Sequence, residues 1–155
     1  MIYTQNQKVK VKYVGKNTPY LPSYATEGSS GLDLRADISK EIVLPANNGR
    51  LLVPTGICFD FPDMYEAQVR PRSGLALKYG ITVLNAPGTI DNDYTGDIKV
   101  LLINTDSRDF IIQPFQKIAQ IIILKYVKIH LVDSSDFKDT GRGGNGFGST
   151  DGQSL

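Results

Sequence analysis

The sequence predicts an all-β fold, a jelly-roll-like β-barrel with one short helix and a flexible Gly-rich C-terminal tail, and three observations point there. Residues Lys8–Val14 alternate strictly, lysines against Val9, Val11 and Tyr13, which is the period of a half-buried strand. Short apolar runs then recur between clusters of turn formers, Pro45-Ala46-Asn47-Asn48-Gly49, Pro62-Asp63 and Thr105-Asp106-Ser107, the punctuation of a sandwich or jelly roll. From about Asp139 the composition turns to glycine, interrupted by single Arg and Phe residues.

Taken in order, strands are expected at Lys8–Val14, Leu32–Ala36, Glu41–Leu44, Arg50–Phe61 (broken near Pro54-Thr55-Gly56) and Tyr65–Arg70. Three more follow at Asp97–Thr105, Arg108–Gln113 and Lys117–Val132. Ser73–Tyr79 is the one helical stretch, about two turns long, with Ser73 as the expected N-cap and Gly80 as the C-terminal stop. Between the strand-like runs on either side, Asn85–Gly96 reads as a hairpin turn, since Asn and Gly tolerate positive φ and Pro presets it near −65°. Residues 1–138 are read as one domain and 139–155 as a tail that orders on a ligand and closes over it.

At 155 residues and 41% hydrophobic, the chain supports one domain with a substantial core. Lys and Arg number 17 against 16 Asp and Glu, and the net charge of +1 gives no reason to expect a nucleic-acid partner. A small anionic ligand is compatible with it. The single cysteine, Cys58, excludes an intramolecular disulfide and, in an apolar run, reads as a core residue. With one histidine, His130, neither a Ser-His-Asp triad nor an ordinary His/Cys zinc site is expected. Met1–Gln7 lacks a basic region followed by an apolar one, and no apolar stretch reaches membrane-spanning length, so a cytoplasmic protein without a membrane partner is expected.

Five clusters carry possible chemistry. In Asn85–Gly96, Ile90 and Tyr94 would hold the Asp91 carboxylate beside apolar surface, where it could act as a base. Gly28-Ser29-Ser30-Gly31 exposes backbone N–H groups ahead of Asp33, although alone it could be an ordinary loop entering a strand. Arg70-Pro71-Arg72-Ser73-Gly74 delivers a guanidinium and a hydroxyl to a helix start, where unpaired N–H groups favour anions; capping alone would account for it equally well. Gln120 in Lys117-Ile118-Ala119-Gln120 is a polar residue in a long apolar run, which more often only satisfies backbone groups. The tail spaces Arg142, Phe147, Ser149 and Thr150 with glycines, and a plain flexible terminus is its simplest explanation.

In their order along the chain the five resemble the motifs of the trimeric deoxyuridine triphosphatases, the dUTP nucleotidohydrolases. Gly28–Ala36 is similar to that family's first motif, Pro71–Leu75 to the second, Asn85–Gly96 to the third, Lys117–Gln120 to the fourth and Arg142–Thr150 to the fifth. The resemblance implies a jelly-roll homotrimer, with active sites shared between chains, that hydrolyses dUTP to dUMP and pyrophosphate. Such activity keeps uracil out of DNA and supplies dUMP for thymidylate synthesis. It implies Asp91 as the base for in-line water attack at the α-phosphorus, and Asn85, Gly88, Ile90 and Tyr94 as base- and sugar-contacting residues, with Phe147 stacking on uracil. Arg72, Ser73, Gly74 and Gln120 would position the phosphates, and Arg142, Ser149 and Thr150 would hold the γ-phosphate. Asp33 would hold a water of a Mg²⁺ ion carried by the substrate, an arrangement that suits a cation which retains its waters.

The chain departs from the family pattern at Lys117, where Arg is usual, and at Asn145 and Asp151, where Gly is usual. Lys loses a fork of donors, Asn tolerates left-handed geometry, and Asp151 sets an anion beside a phosphate site. The alternatives are a dCTP deaminase or its bifunctional form, and a non-catalytic nucleotide-binding module. The first needs a glutamate in the base pocket, and Asn85–Gly96 contains none; the second would be expected to have lost Asp91, Arg142 or Phe147.

Overall fold

The computed structural model describes residues 8–17 and 20–145. It contains eleven strands: β1 Lys10–Tyr13, β2 Leu32–Arg35, β3 Ile42–Leu44, β4 Gly49–Pro54, β5 Ile57–Asp60, β6 Tyr65–Arg70, β7 Ile81–Val83, β8 Gly88–Ile90, β9 Lys99–Asn104, β10 Phe110–Ile112 and β11 Lys117–Lys125. The one helix among the described residues, α1, spans Ser73–Tyr79.

Early and late strands pair in nested order, β2 with β11, β3 with β10 and β4 with β9, all antiparallel. The chain is therefore a long ribbon doubled back on itself and rolled up, which is the jelly-roll plan. The described strands distribute over four sheets, in the orders β1-β5, β10-β3, β2-β11-β6-β8 and β4-β9-β7, without closing into a barrel. One core joins them, with Leu34, Leu44, Val53, Val100, Ile112, Ile118 and Ile121 at 1% exposure or less. Cys58 lies at its margin, and burial pushes its thiol pKa up, as befits a packing residue and not a nucleophile.

Turn chemistry follows the sequence. Asn47 and Asn48 take the left-handed region between β3 and β4, at φ 53° and 70°. Gly80 ends α1 at φ 64°, donating its N–H to the Ala76 carbonyl.

Three expectations need correction. Arg72, not Ser73, is the N-cap of α1; its extended backbone starts the helix with no side-chain cap, and Ser73 is the first helical residue. Asn85–Gly96 is not a simple hairpin turn. β7 and β9 pair in one sheet, and the chain between them crosses to another, where β8 pairs with β6. The run Lys117–Val132 is a strand only as far as Lys125, because its partner β6 begins at Tyr65 opposite Lys125. Beyond one further bond, Tyr126 N–H to the Met64 carbonyl, no strand among the described residues faces it, and Val127, Ile129, Leu131 and Val132 are 71–83% exposed.

Candidate active site

The four-stranded sheet brings the phosphate-type residues together. Register places Asp33 of β2 opposite Gln120 of β11, and Gln120 opposite Arg70 of β6, directly before the Pro71-Arg72-Ser73 turn into α1. A cavity of about 450 Å³ opens there, with Ser29, Ser30, Gly31, Asp33, Arg72, Ser73, Gly74 and Gln120 in its wall. Three of the sequence clusters thus meet, and each of them was open to a purely structural explanation.

Asp33 is the buried charge of this wall, its side chain 12% exposed. Arg72 Nε lies 3.2 Å from Oδ1, and Lys117 Nζ pairs with Oδ2. Burial of an unpaired carboxylate is costly, and the two cations offset that cost. Arg72 also donates from Nη1 to the Lys117 carbonyl at 3.4 Å, and Gln120 donates from Nε2 to the Pro71 carbonyl at 2.9 Å. Gln120 thereby ties β11 to the turn that presents Arg72 and Ser73. With Lys78 also in the wall, the cavity has an excess of positive charge, suited to an anion.

A β-bulge makes this convergence possible. Lys117 pairs with Arg35 and Ala119 with Leu34, so two steps on β11 match one on β2, and Ile118 is the extra residue. In a regular strand Lys117 and Gln120, three apart, would face opposite sides. The bulge puts both on the Asp33 side and leaves Ile118 and Ala119 consecutively buried. Nothing in the sequence marks the bulge, which is why the Lys117–Asp33 pair was not foreseen.

Asp91 and its neighbours form a second, separate depression. Thr89, Ile90, Asp91, Tyr94, Leu52, Ile98 and Lys99 line it, so the carboxylate does sit among apolar side chains, though exposed to solvent. The Tyr94 N–H closes a turn on the Asp91 carbonyl at 3.1 Å, and Tyr94 Oη donates to the Asp97 carbonyl at 2.9 Å. A Cβ at Gly96 would lie 2.7 Å from Tyr94 Oη, so only glycine permits this ring position, a role the sequence reading did not assign. The Asn85 amide lies over Gly88, where a Cβ would meet its Nδ2 at 3.1 Å. Among the described residues β8 is the edge of its sheet, bonded to β6 alone, so its outer backbone groups have no strand partner there.

The two halves are far apart within one chain. Asp33 and Asp91 stand three strands apart, and Asp91 is offset from the Asp33–Gln120–Arg70 row by four residues. At about 4.8 Å per strand and about 3.4 Å per residue, the separation is about 20 Å. No single atom of a ligand is within reach of both carboxylates.

Among the described residues, no set of three His, Cys, Asp or Glu side chains is placed to hold a metal. The donor set at the cavity is a single carboxylate beside an excess of cations. That fits only a hydrated hard cation whose inner ligands are phosphate oxygens, with Asp33 touching its water. Arg142 lies outside the cavity wall, exposed, with Nε donating to the Asn145 carbonyl at 2.9 Å within a tail turn. Phe147, Ser149, Thr150 and Asp151 lie outside the described residues. The one helix among the described residues is not long and apolar enough to cross a membrane.

The chain is similar to known proteins along most of its length. The family model described as dUTPase matches residues 18–151. Deoxyuridine 5'-triphosphate nucleotidohydrolase of Rickettsia felis is 52% identical over 92% of this chain and 96% of its own length. Its counterpart from Fusobacterium nucleatum is 46% identical over 93% and 98%. The dUTPase of Staphylococcus bacteriophage 80alpha, solved with dUPNHPP, shares the fold at a TM-score of 0.82 and 20% identity, over 93% of this chain and 98% of that one. A phage phi11 dUTPase variant, solved with a structural Mg(II) ion, aligns at a TM-score of 0.75 and 17% identity, over 86% of this chain and 100% of that one. From the match across both site halves, this chain belongs to the dUTPase family.

Proposed function

We propose that this chain hydrolyses dUTP to dUMP and pyrophosphate, as a homotrimer whose active sites each combine residues of different copies. The observation that carries the reading is the gathering of Asp33, Arg72, Ser73, Gly74 and Gln120 around one cationic cavity, in a chain of this family. In this reading Arg72, Ser73 and Gln120 bind and orient the triphosphate. The edge of β8, with Asn85 and Gly88, pairs with the uracil edge as a neighbouring strand would. Cytosine reverses that donor–acceptor pattern and leaves buried groups unpaired, which disfavours it.

Asp91 takes a proton from water as its oxygen attacks the α-phosphorus, and the bond to the bridging oxygen of the β-phosphate breaks. Tyr94 packs against deoxyribose and excludes a 2′-hydroxyl. Asp33 would hold one water of a Mg²⁺ ion carried by the phosphates, and that ion would supply neutralisation of their charge. The tail from residue 139, with Arg142, Phe147, Ser149 and Thr150, closes over the site and excludes solvent, which strengthens the contacts within it.

Two features support sharing between copies. The separation of about 20 Å between Asp33 and Asp91 is closed if Asp91 of one copy faces the cavity of another. The exposed arm with Val127, Ile129 and Leu131 keeps strand periodicity without a strand to pair with among the described residues of its own chain, and a second copy would supply one. A cytoplasmic location is consistent with a nucleotide-pool enzyme.

Pyrophosphate release measured with dUTP, dCTP, dTTP and UTP in Mg²⁺ tests the reading. Release confined to dUTP and abolished by Asp91→Asn is expected; binding of dUTP without release in the native protein would reduce it to a nucleotide-binding module.

A further inference from the structure

We propose that Lys117 is a positioning residue that acts through Asp33 to keep the substrate-borne divalent ion weakly held; this rests on reading the Asp33 cavity as a Mg²⁺–triphosphate site. Lys117 is not in the cavity wall, whereas Asp33 and Arg72 are. It stands behind the carboxylate, delivered there by the β11 bulge, with its ammonium on Oδ2 while Arg72 holds Oδ1. Each carboxylate oxygen keeps one lone pair for another partner, so Asp33 can still accept from a metal-bound water.

The water's ion then meets a carboxylate whose charge two cations already share. Like charge beside the ion weakens its attraction to Asp33, and the low dielectric of a site with a carboxylate 12% exposed enlarges that effect. The ion therefore arrives with the triphosphate and leaves with pyrophosphate, instead of remaining as a resident cofactor. Lys117 suits this role through its charge, whereas the fork of an arginine is not required.

The test uses Mn²⁺ as a spectroscopic substitute and the α,β-imido analogue of dUTP, which is not cleaved. Mn²⁺ binding to the full-length oligomer with the analogue is titrated by the loss of the free-ion electron paramagnetic resonance signal, independently of turnover. Lys117→Met and Lys117→Gln are expected to bind Mn²⁺ at least threefold more tightly, with kcat lowered because Asp33 loses a fixed orientation. Lys117→Arg, which keeps the charge, should match the native Mn²⁺ affinity within twofold. Unchanged or weaker Mn²⁺ binding in the neutral variants overturns the inference, as does an Arg variant that behaves like Met. If Lys117→Met fails to fold by its melting transition, the Gln variant decides alone. Native protein that holds Mn²⁺ no better than the free analogue does would sink the underlying site reading, and this inference with it.

Discussion

Replacing Gly31 with alanine should damage the site through Gln120 while leaving the fold largely intact. Gly31 is not in the left-handed region, so its backbone accepts alanine, but the new Cβ would lie 2.4 Å from Gln120 Oε1 and 3.2 Å from its Cδ. The carboxamide has to swing away, and the bond from Nε2 to the Pro71 carbonyl breaks with it. A neutral hydrogen bond contributes about 1 kcal/mol and an off-rotamer side chain costs about 1 kcal/mol. The sum of about 2 kcal/mol is partly offset, by about 0.5 kcal/mol, because alanine restricts the unfolded chain. Melting should therefore fall by only a few degrees, about 2–4 °C per kcal/mol at this size. If the anchoring of the Arg72 turn is what the transition state uses, kcat/KM for dUTP falls about 10- to 30-fold. Steady-state pyrophosphate release and thermal melting read the two effects. The cycle with Gln120→Ala completes the test, since Gly31→Ala should cost little more in a chain already lacking the amide. Native kcat/KM in Gly31→Ala, or full additivity with Gln120→Ala, would refute the coupling.

Other substitutions separate stability from activity. Gly74 lies in the cavity wall with nothing within 4 Å of an added Cβ, so Gly74→Ala should stabilise the helix by about 0.5 kcal/mol while its methyl obstructs the phosphates; raised melting with lowered kcat/KM is expected, and unimpaired kinetics would remove Gly74 from the site. Asn104 is fully buried and bonds the Leu44 and Arg108 carbonyls and the Asp106 N–H. Asn104→Leu strands all three groups and should cost about 3 kcal/mol or more in denaturant unfolding; a loss below about 1 kcal/mol would show that water replaces the amide. Burial raises the Asp97 carboxyl above its ordinary value, and its Oδ1 is buried without a partner. A carboxyl raised by folding opposes stability where it is charged, above the raised value, and ceases to do so as pH falls to its unfolded pKa of about 3.9. Asp97→Asn should accordingly raise the melting temperature at neutral pH, with the gain shrinking toward pH of about 4; a gain independent of pH would point to packing instead of charge.

Local order was legible where pattern and turn residues agreed. The Asn47-Asn48 turn and the Gly80 stop appear where the sequence puts them, and the alternating run Lys8–Val14 holds a strand at Lys10–Tyr13, although Val11 is 37% exposed and the strand is not half-buried along its length. β7 was read only as a strand-like run ahead of Asn85, without bounds, and β8 escaped notice because it is hidden in turn-forming composition. Asp33, Arg72, Ser73, Gly74 and Gln120, which motif order grouped, line one cavity, but their distance from Asp91 was not legible, because it follows from which strands pair across the sheet. The Lys117–Asp33 pair depends on one extra residue in β11, which leaves no trace in the hydrophobic pattern. The end of β11 at Lys125 was equally hidden: Tyr126–Val132 keeps the composition of a strand, and the strand ends where its partner β6 begins, with no other partner among the described residues.

The most direct test of a shared dUTP-hydrolysing site mixes two inactive proteins, Asp91→Asn and Arg72→Ala, after denaturation and joint refolding. Each mixed oligomer can set the native Asp91 of one copy against the native cavity of another. Random assortment of equal amounts should then restore about one quarter of native dUTP turnover. A mixture as inactive as its separate components would contradict the shared site, because it would mean that Asp91 and Arg72 serve the reaction only from the same chain.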